Sequence, residues 1–258
     1  KALDMAAVAR GAGVEATPLH IAYSSGPNAA GIVQPACVAC GDCCGGCNTG
    51  AKTTVANTYL ADARGFGAEI FAEAHVRRVA KAKAGGWQVE LLRPDGAKNG
   101  RETARVHADI VVLAAGTLGT NEILLRSREA GLALPDRLGD RFSANGDIIA
   151  FGYGAKTVVN GIGVGHPAKV AGLEIGAAVS GQIEFRDAET LANELHVQEG
   201  ALPSAFASVL PVLFLPNGRL LGALSSLVNG VYKGPFASLQ TFFAVSHDSA
   251  SGRFALED

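Results

Sequence analysis

One stretch constrains the fold more than any other. From Asp109 to Ala115 the chain is an almost continuous apolar run, opened by its charge and closed by Gly116. A run of that length and character suits a strand buried on both faces, which is how parallel sheets are built. Gly116 and Thr117 then lead into a helical pattern through Glu122, Leu125 and Arg126 to Ala130, with Gly131 as its stop. Strand, small-residue turn and helix make half of a nucleotide-binding α/β unit. The sequence therefore predicts a parallel strand here.

The surrounding patterns are of two kinds. Before the run, Ala68 to Phe71, His75 to Ala82, Gln88 to Leu92 and Thr103 to His107 alternate as strands do, with Gly85-Gly86 and Pro94-Asp95-Gly96 as hairpin turns. After about residue 147 come short, glycine-separated segments at 147–153, 157–164, 173–184, 195–200 and 239–246, which read as antiparallel strands. The stretches 204–215 and 219–230 fit helix or strand equally. Residues 2 to 10 suit a short amphipathic helix, and Thr53 or Thr54 caps another that runs to Ala63. Residues 18 to 36 read as irregular. A domain change is expected near Phe151, where the texture shifts.

Composition removes several classes of function. Hydrophobic residues make up 48% and charged residues 18%, enough to fill a core and too apolar for disorder. With 22 Lys plus Arg against 24 Asp plus Glu, no long-range field draws the chain to nucleic acid or to an anionic membrane. Apolar stretches are broken well short of the roughly 18 residues that a membrane span needs. No signal peptide opens the chain, so the expected compartment is cytoplasmic. The missing initiator Met fits an internal fragment or a processed chain.

All five cysteines fall between Cys37 and Cys47. Disulfide scaffolds spread their cysteines to staple distant loops, so this crowding points to a metal site or a local redox feature. Cys37, Cys40, Cys43 and Cys47 reproduce C-x2-C-x2-C-x3-C, the ferredoxin-type spacing for iron–sulfur ligands, with Cys44 as an extra. In ferredoxins the fourth cysteine of such a run usually serves a second cluster, and Asn48 stands where proline is favoured. Zinc, free thiols and a local disulfide remain open alternatives. His20, His75, His107, His166, His196 and His247 are singletons with no H-x-x-x-H pair, and surface or structural roles are expected for them.

Two motifs carry a family resemblance. Cys40-Gly41-Asp42-Cys43, followed by Gly46-Cys47-Asn48-Thr49-Gly50-Ala51-Lys52 and Tyr59-Leu60, resembles the glucose–methanol–choline (GMC) oxidoreductases, nearest to their cholesterol-oxidase-like branch. So does Val112-Leu113-Ala114-Ala115-Gly116-Thr117-Leu118-Gly119-Thr120-Asn121-Glu122. Asn145-Gly146 and Val197-Gln198-Glu199-Gly200-Ala201-Leu202-Pro203 follow in the family's order.

The resemblance implies a fold of α/β plus α+β type. A partial FAD-binding, Rossmann-like doubly wound domain is expected over residues 48–146. An antiparallel-sheet substrate domain is expected over 147–258, with 1–47 a cysteine-rich segment covering the FAD or belonging to the substrate domain. The implied activity is oxidation of a hydrophobic or sterol-like alcohol by hydride transfer to FAD. By the same resemblance Val76, Ala115, Gly116, Gly119 and Asn145 are cofactor-binding residues, and Glu199 and Asn145 catalytic ones. Glu199, set among Val197, Ala201 and Leu202, is a candidate base, and an exposed loop glutamate is the plainer alternative. Asn145-Gly146 also reads as an ordinary turn. The family's opening G-x-G-x-x-G and its closing His–Asn pair are not in this chain, and Gly161-Ile162-Gly163-Val164-Gly165-His166 reads as turn or strand glycines. The chain is thus expected to be a piece that needs N- and C-terminal parts to work. An iron–sulfur cluster at the cysteines would relay electrons to an external acceptor and make the parent a dehydrogenase. The competing reading is an iron–sulfur electron-transfer or binding module without flavin chemistry, or a noncatalytic structural piece.

Overall fold

The structure is a computed structural model, which describes residues 14–16, 18–93, 102–152, 156–187, 189–210, 230–233 and 235–257. Its strands are β1 (Val14–Ala16), β2 (Gly26–Pro27), β3 (Val33–Gln34), β4 (His75–Lys81), β5 (Trp87–Arg93) and β6 (Glu102–Ala108). After them come β7 (Asp140–Phe142), β8 (Ile148–Gly152), β9 (Gly181–Phe185), β10 (Leu195–Gly200), β11 (Gln240–Ser246) and β12 (Gly252–Arg253). The α-helices are α1 (Tyr59–Gly65) and α2 (Gly116–Glu129). The chain forms two compact units, Lys1–Ala68 with Asn145–Asp248, and Glu69–Ala144 with Ser249–Asp258.

In the first unit a five-stranded sheet runs in the order β1-β9-β10-β11-β8, with every pairing antiparallel. Its strands from β8 on are the short, glycine-bounded segments that alternation predicts near 147–153, 195–200 and 239–246. Beside the sheet lie two apolar clusters. One holds Ile162, Leu210, Val231, Phe236 and Leu239, all nearly inaccessible. The other holds Val164, Ile175, Ala178 and Ala201, with Cys40 and Cys43 packed against it.

Three glycines let the chain close in around these clusters. A Cβ on Gly161 would lie 2.4 Å from the Leu239 carbonyl oxygen, one on Gly163 2.7 Å from Asp42 Oδ1, and one on Gly41 2.6 Å from Ile175 Cγ2. The Gly161-x-Gly163 run therefore serves close packing, as turn or strand glycines do, and Ile162 makes an isolated bridge with Leu202. Thr54 caps a 3-10 turn at Val55–Asn57 through a reciprocal bond with Asn57, and α1 follows two residues later. The helix predicted from Thr53 or Thr54 is thus split into a 3-10 turn and an α-helical one.

The second unit is a three-stranded meander, β4-β5-β6. Gly85 and Gly86 both take left-handed φ, at +97° and +71°, and close the first hairpin. Lys81 lies over the Trp87 ring at 3.6 Å, and Arg78 pairs with Glu90 at 2.9 Å across the same two strands. Helix α2 covers the outer edge of β4: the Val79 N–H donates to Ser127 Oγ at 2.9 Å. Ser127 in turn donates to the Ile123 carbonyl at 2.7 Å, so one hydroxyl satisfies an edge amide and stays bonded to its own helix. β7 and β12 form a small ribbon beside which Phe142 and Phe254 meet edge to face at 4.7 Å.

The expected fold class is corrected here. Every ladder between these strands is antiparallel, and the described residues carry only two short helices. Among the described residues no partial Rossmann-like, doubly wound domain is formed. Asp109–Ala115 is not a strand: it has no ladder partner among the described residues, and Ile110 and Val112 are 80% and 82% exposed. The physical reason lies in what precedes and follows it. The Gly85-Gly86 turn closes β4 onto β5, β6 pairs with the other side of β5, and α2 takes the edge of β4, so these strands pair with one another and not with the apolar run. Ala68–Phe71 is likewise not a strand. The helix expected at 2–10, the turn at Pro94-Asp95-Gly96 and all of 211–229 lie outside the described residues. No helix among the described residues is long and apolar enough to cross a membrane.

Candidate functional site

Glu199 is the penultimate residue of β10, opposite Phe242 of β11, and it is 1% exposed. It is therefore a buried strand residue and not a loop glutamate. The Ser180 hydroxyl, one residue before β9, donates to Glu199 Oε1. Oε2 is buried and has no hydrogen-bond partner among the described residues. A carboxylate oxygen in that state is costly unless a partner arrives, because burial strips its water without replacing it. The Ala201 N–H that follows is bonded to the Ala178 carbonyl at 2.7 Å, so the backbone on either side of this contact is held.

The cysteine loop packs beside the segment that follows Glu199. Asp42 binds it there: Oδ2 accepts the Gly165 N–H at 2.6 Å, and Oδ1 accepts the Ser204 N–H. Backbone bonds from Val164 to the Cys40 carbonyl, and from Ile175 to the Ala39 carbonyl, both at 2.8 Å, add to this lacing. The Tyr232 hydroxyl donates to the Gly163 carbonyl at 2.8 Å. Burial, and then the Asp42 charge, push its phenol up from the usual value.

The thiols are chemically unequal. Burial pushes Cys40 and Cys44 up. Burial also works to raise Cys47. It is outweighed by the Thr49 hydroxyl, 3.1 Å away, and by backbone N–H groups of Lys52, Thr49 and Ala51, so this thiol is lowered.

Asn145 and Gly146 form a turn into β8, with φ of +61° and +55°. The Ser246 N–H donates to the Asn145 carbonyl at 2.9 Å. Asn145 borders an open groove of about 440 Å³ shared with Glu184, Arg186, His196, Ser246 and His247. That groove meets the start of β10 at His196, about 10 Å along the strand from Glu199 at 3.3 Å per residue. Asn145 and Glu199, the two predicted catalytic residues, thus attach to different parts of the sheet. His196 approaches Glu184 at 3.6 Å, and Glu184 also holds Arg186.

In the second unit, Val76 is half-buried on the edge strand β4, paired with Leu91 just before a bulge. Gly116 opens α2 with φ +69° and open space where a Cβ would be. Ala115 at the N-cap supplies no side-chain cap, so the first-turn N–H groups have no capping side chain. A bare helix start of this kind fits the approach of a polar cofactor edge. Gly119 is different: a Cβ there would lie 3.0 Å from the Ala115 Cβ, so its glycine serves local packing.

A comparison with family models settles the broad identity. The GMC oxidoreductase model matches residues 15–143, half of the chain. The chain belongs to the GMC oxidoreductase family. A cholesterol oxidase of Mycobacterium tuberculosis is 34% identical over 122 residues, covering 46% of this chain and 21% of the relative. A cholesterol oxidase of Acinetobacter baumannii is 34% identical over 131 residues, covering 47% and 23%. An uncharacterized GMC-type oxidoreductase of Mycobacterium tuberculosis is 38% identical over 123 residues, covering 47% and 18%. The matched stretch spans about a fifth of the length of these GMC relatives.

Cys37, Cys40, Cys43, Cys44 and Cys47 are all free thiols. Among the described residues no three His, Cys, Asp or Glu side chains are placed to hold a metal ion. Neither an iron–sulfur cluster nor a zinc site is supported by the described residues. Cys37 bonds back to Ala22, Cys40 and Cys43 turn toward the apolar cluster, and Gly46 at φ +103° redirects the chain so that the Cys47 thiol faces Thr49. Ser180, the partner of Glu199, was not visible in the sequence. It lies 19 residues away in a stretch without a motif.

Proposed function

We propose that the protein containing this chain oxidises a hydrophobic, sterol-like alcohol with FAD, and that Glu199 accepts the hydroxyl proton. The support is membership of the GMC family together with two cholesterol oxidases among the relatives. The observation that carries the reading is the buried Oε2 of Glu199, which lacks a partner in a site where its sister oxygen is held. An alcohol O–H is a partner of the right polarity for it. When bound, FAD supplies the acceptor for the hydride that leaves the carbinol carbon.

This chain's own residues do the rest. Glu199 takes the proton at Oε2, while Ala201 and the surrounding apolar cluster keep bulk water from that oxygen. The bare start of α2 at Ala115 and Gly116, with Gly119 behind it, and the β4 backbone around Val76 contribute cofactor contacts. Asn145, with its side chain bordering the groove, orients a polar group of the cofactor or substrate.

The test uses the full-length gene product, mixed with a sterol or other bulky alcohol in the absence of oxygen. Glu199→Gln is expected to slow flavin reduction by about 10²- to 10⁴-fold, the range for loss of a general base, with flavin content unchanged. Reduction at the parental rate in that variant would remove Glu199 from the chemistry.

A further inference from the structure

We infer that Ser180 is a positioning residue that assigns different tasks to the two oxygens of Glu199. The inference rests on the proton-acceptor reading above. A carboxylate has two equivalent oxygens, and a base on a rigid strand works only if one of them faces the substrate. Here the symmetry is broken by a single contact: Ser180 donates its hydroxyl proton to Oε1, and Oε2 is left buried and unpartnered. Ser180 is held next to β9, whose ladder with β10 runs through Gln182 opposite Gln198. Nearby, the Ala178 carbonyl accepts the Ala201 N–H at 2.7 Å. Serine and glutamate therefore ride on adjacent strands of one sheet, and the donor cannot drift relative to the acceptor without breaking the ladder. The hydroxyl fixes the rotation of the carboxylate about its last bond, and so decides which oxygen is left for the alcohol proton.

No bond is made or broken at Ser180 itself. The alcohol proton passes to Oε2, and the Ser180 proton stays on its own oxygen throughout.

The experiment compares Ser180→Ala, Ser180→Thr and Glu199→Gln in the full-length protein, reading anaerobic flavin reduction as kcat and KM separately, together with flavin content. If the inference holds, Ser180→Ala loses roughly tenfold in kcat, as expected for a hydrogen bond to a charged group. KM and flavin content stay near parental values, and Ser180→Thr, which keeps the hydroxyl, recovers most of the rate. An unchanged kcat in Ser180→Ala, with Glu199→Gln inactive, overturns the role of Ser180 and leaves the proton acceptor standing. Loss of bound flavin in both serine variants also overturns it, showing a structural role. Full activity in Glu199→Gln overturns the underlying reading, and the assignment of Ser180 with it.

Discussion

Asp42 accepts the Gly165 N–H at 2.6 Å across 123 residues of chain, and its second oxygen takes the Ser204 N–H. A single side chain in the cysteine loop thus closes two distant loops against each other. Asp42→Ala leaves both amides without their acceptor. We expect a loss of about 2–4 kcal/mol, from two hydrogen bonds to a charged group, read as a lower urea midpoint. Asp42→Asn, which keeps one oxygen acceptor, should lose about half as much. A midpoint unchanged in the alanine variant would show that water replaces the carboxylate freely.

Two glycines should respond in opposite ways to the same methyl group. At Gly161 the added Cβ meets the Leu239 carbonyl oxygen at 2.4 Å, a backbone atom that cannot swing aside. Gly161→Ala is expected to cost about 1–3 kcal/mol, the usual price of overpacking. Gly65, at the end of α1, has nothing within 4 Å of that position and no left-handed φ. Gly65→Ala should be neutral or stabilising by up to about 1 kcal/mol. Thermal melts of the two variants side by side decide the point.

Ser127 ties α2 to β4 through one hydroxyl. Ser127→Ala leaves the Val79 amide buried without an acceptor, at a cost of about 1–3 kcal/mol. Hydrogen exchange offers the sharper reading. The Val79 amide should exchange faster in the variant, while amides of β5 paired with β6 change little. Equal acceleration along all three strands would mean that the hydroxyl supports the whole unit rather than this contact.

Thiol labelling follows from the lowered Cys47 and the raised Cys44. A lowered pKa gives a larger thiolate fraction at any pH below it, and the thiolate is what alkylates. At neutral pH, iodoacetamide should therefore modify Cys47 ahead of Cys44, although Cys44 is the exposed one. Raising the pH ionises Cys44 as well, and the preference should shrink. Thr49→Val removes the largest of the hydrogen bonds that lower Cys47 and should slow its labelling. Mass spectrometry after brief labelling at two pH values measures both effects.

The sequence was informative where the signal is local. Alternation located β4, β5, β6, β8, β10 and β11, and the Gly85-Gly86 pair marked the hairpin between the first two. The helix from Gly116 was legible from its glycine boundary and its spacing. What failed was non-local. A seven-residue apolar run is equally compatible with a buried parallel strand and with an unpaired segment, and Asp109–Ala115 is the second. The β7–β12 ribbon joins residues more than a hundred positions apart through strands of three and two residues, too short to show a period. The cysteine spacing measures distance along the chain, while support for a metal site needs three ligands that converge in space, which the described residues do not show. At the candidate site, Glu199 was suggested by the family resemblance, with an exposed loop glutamate as the alternative, and its burial and its bond to Ser180 come from strand pairing that no local pattern encodes.

β10 lies between β9 and β11, in the middle of the five-stranded sheet. A carboxylate mounted there has none of the freedom of a loop, and it does not travel to meet a reactant. Whatever gives it a proton has to be delivered to a stationary point. Under the proposed reaction, discrimination between one alcohol and another would fall on the walls of the approach, and altering selectivity would mean recutting those walls while leaving Glu199 where it is.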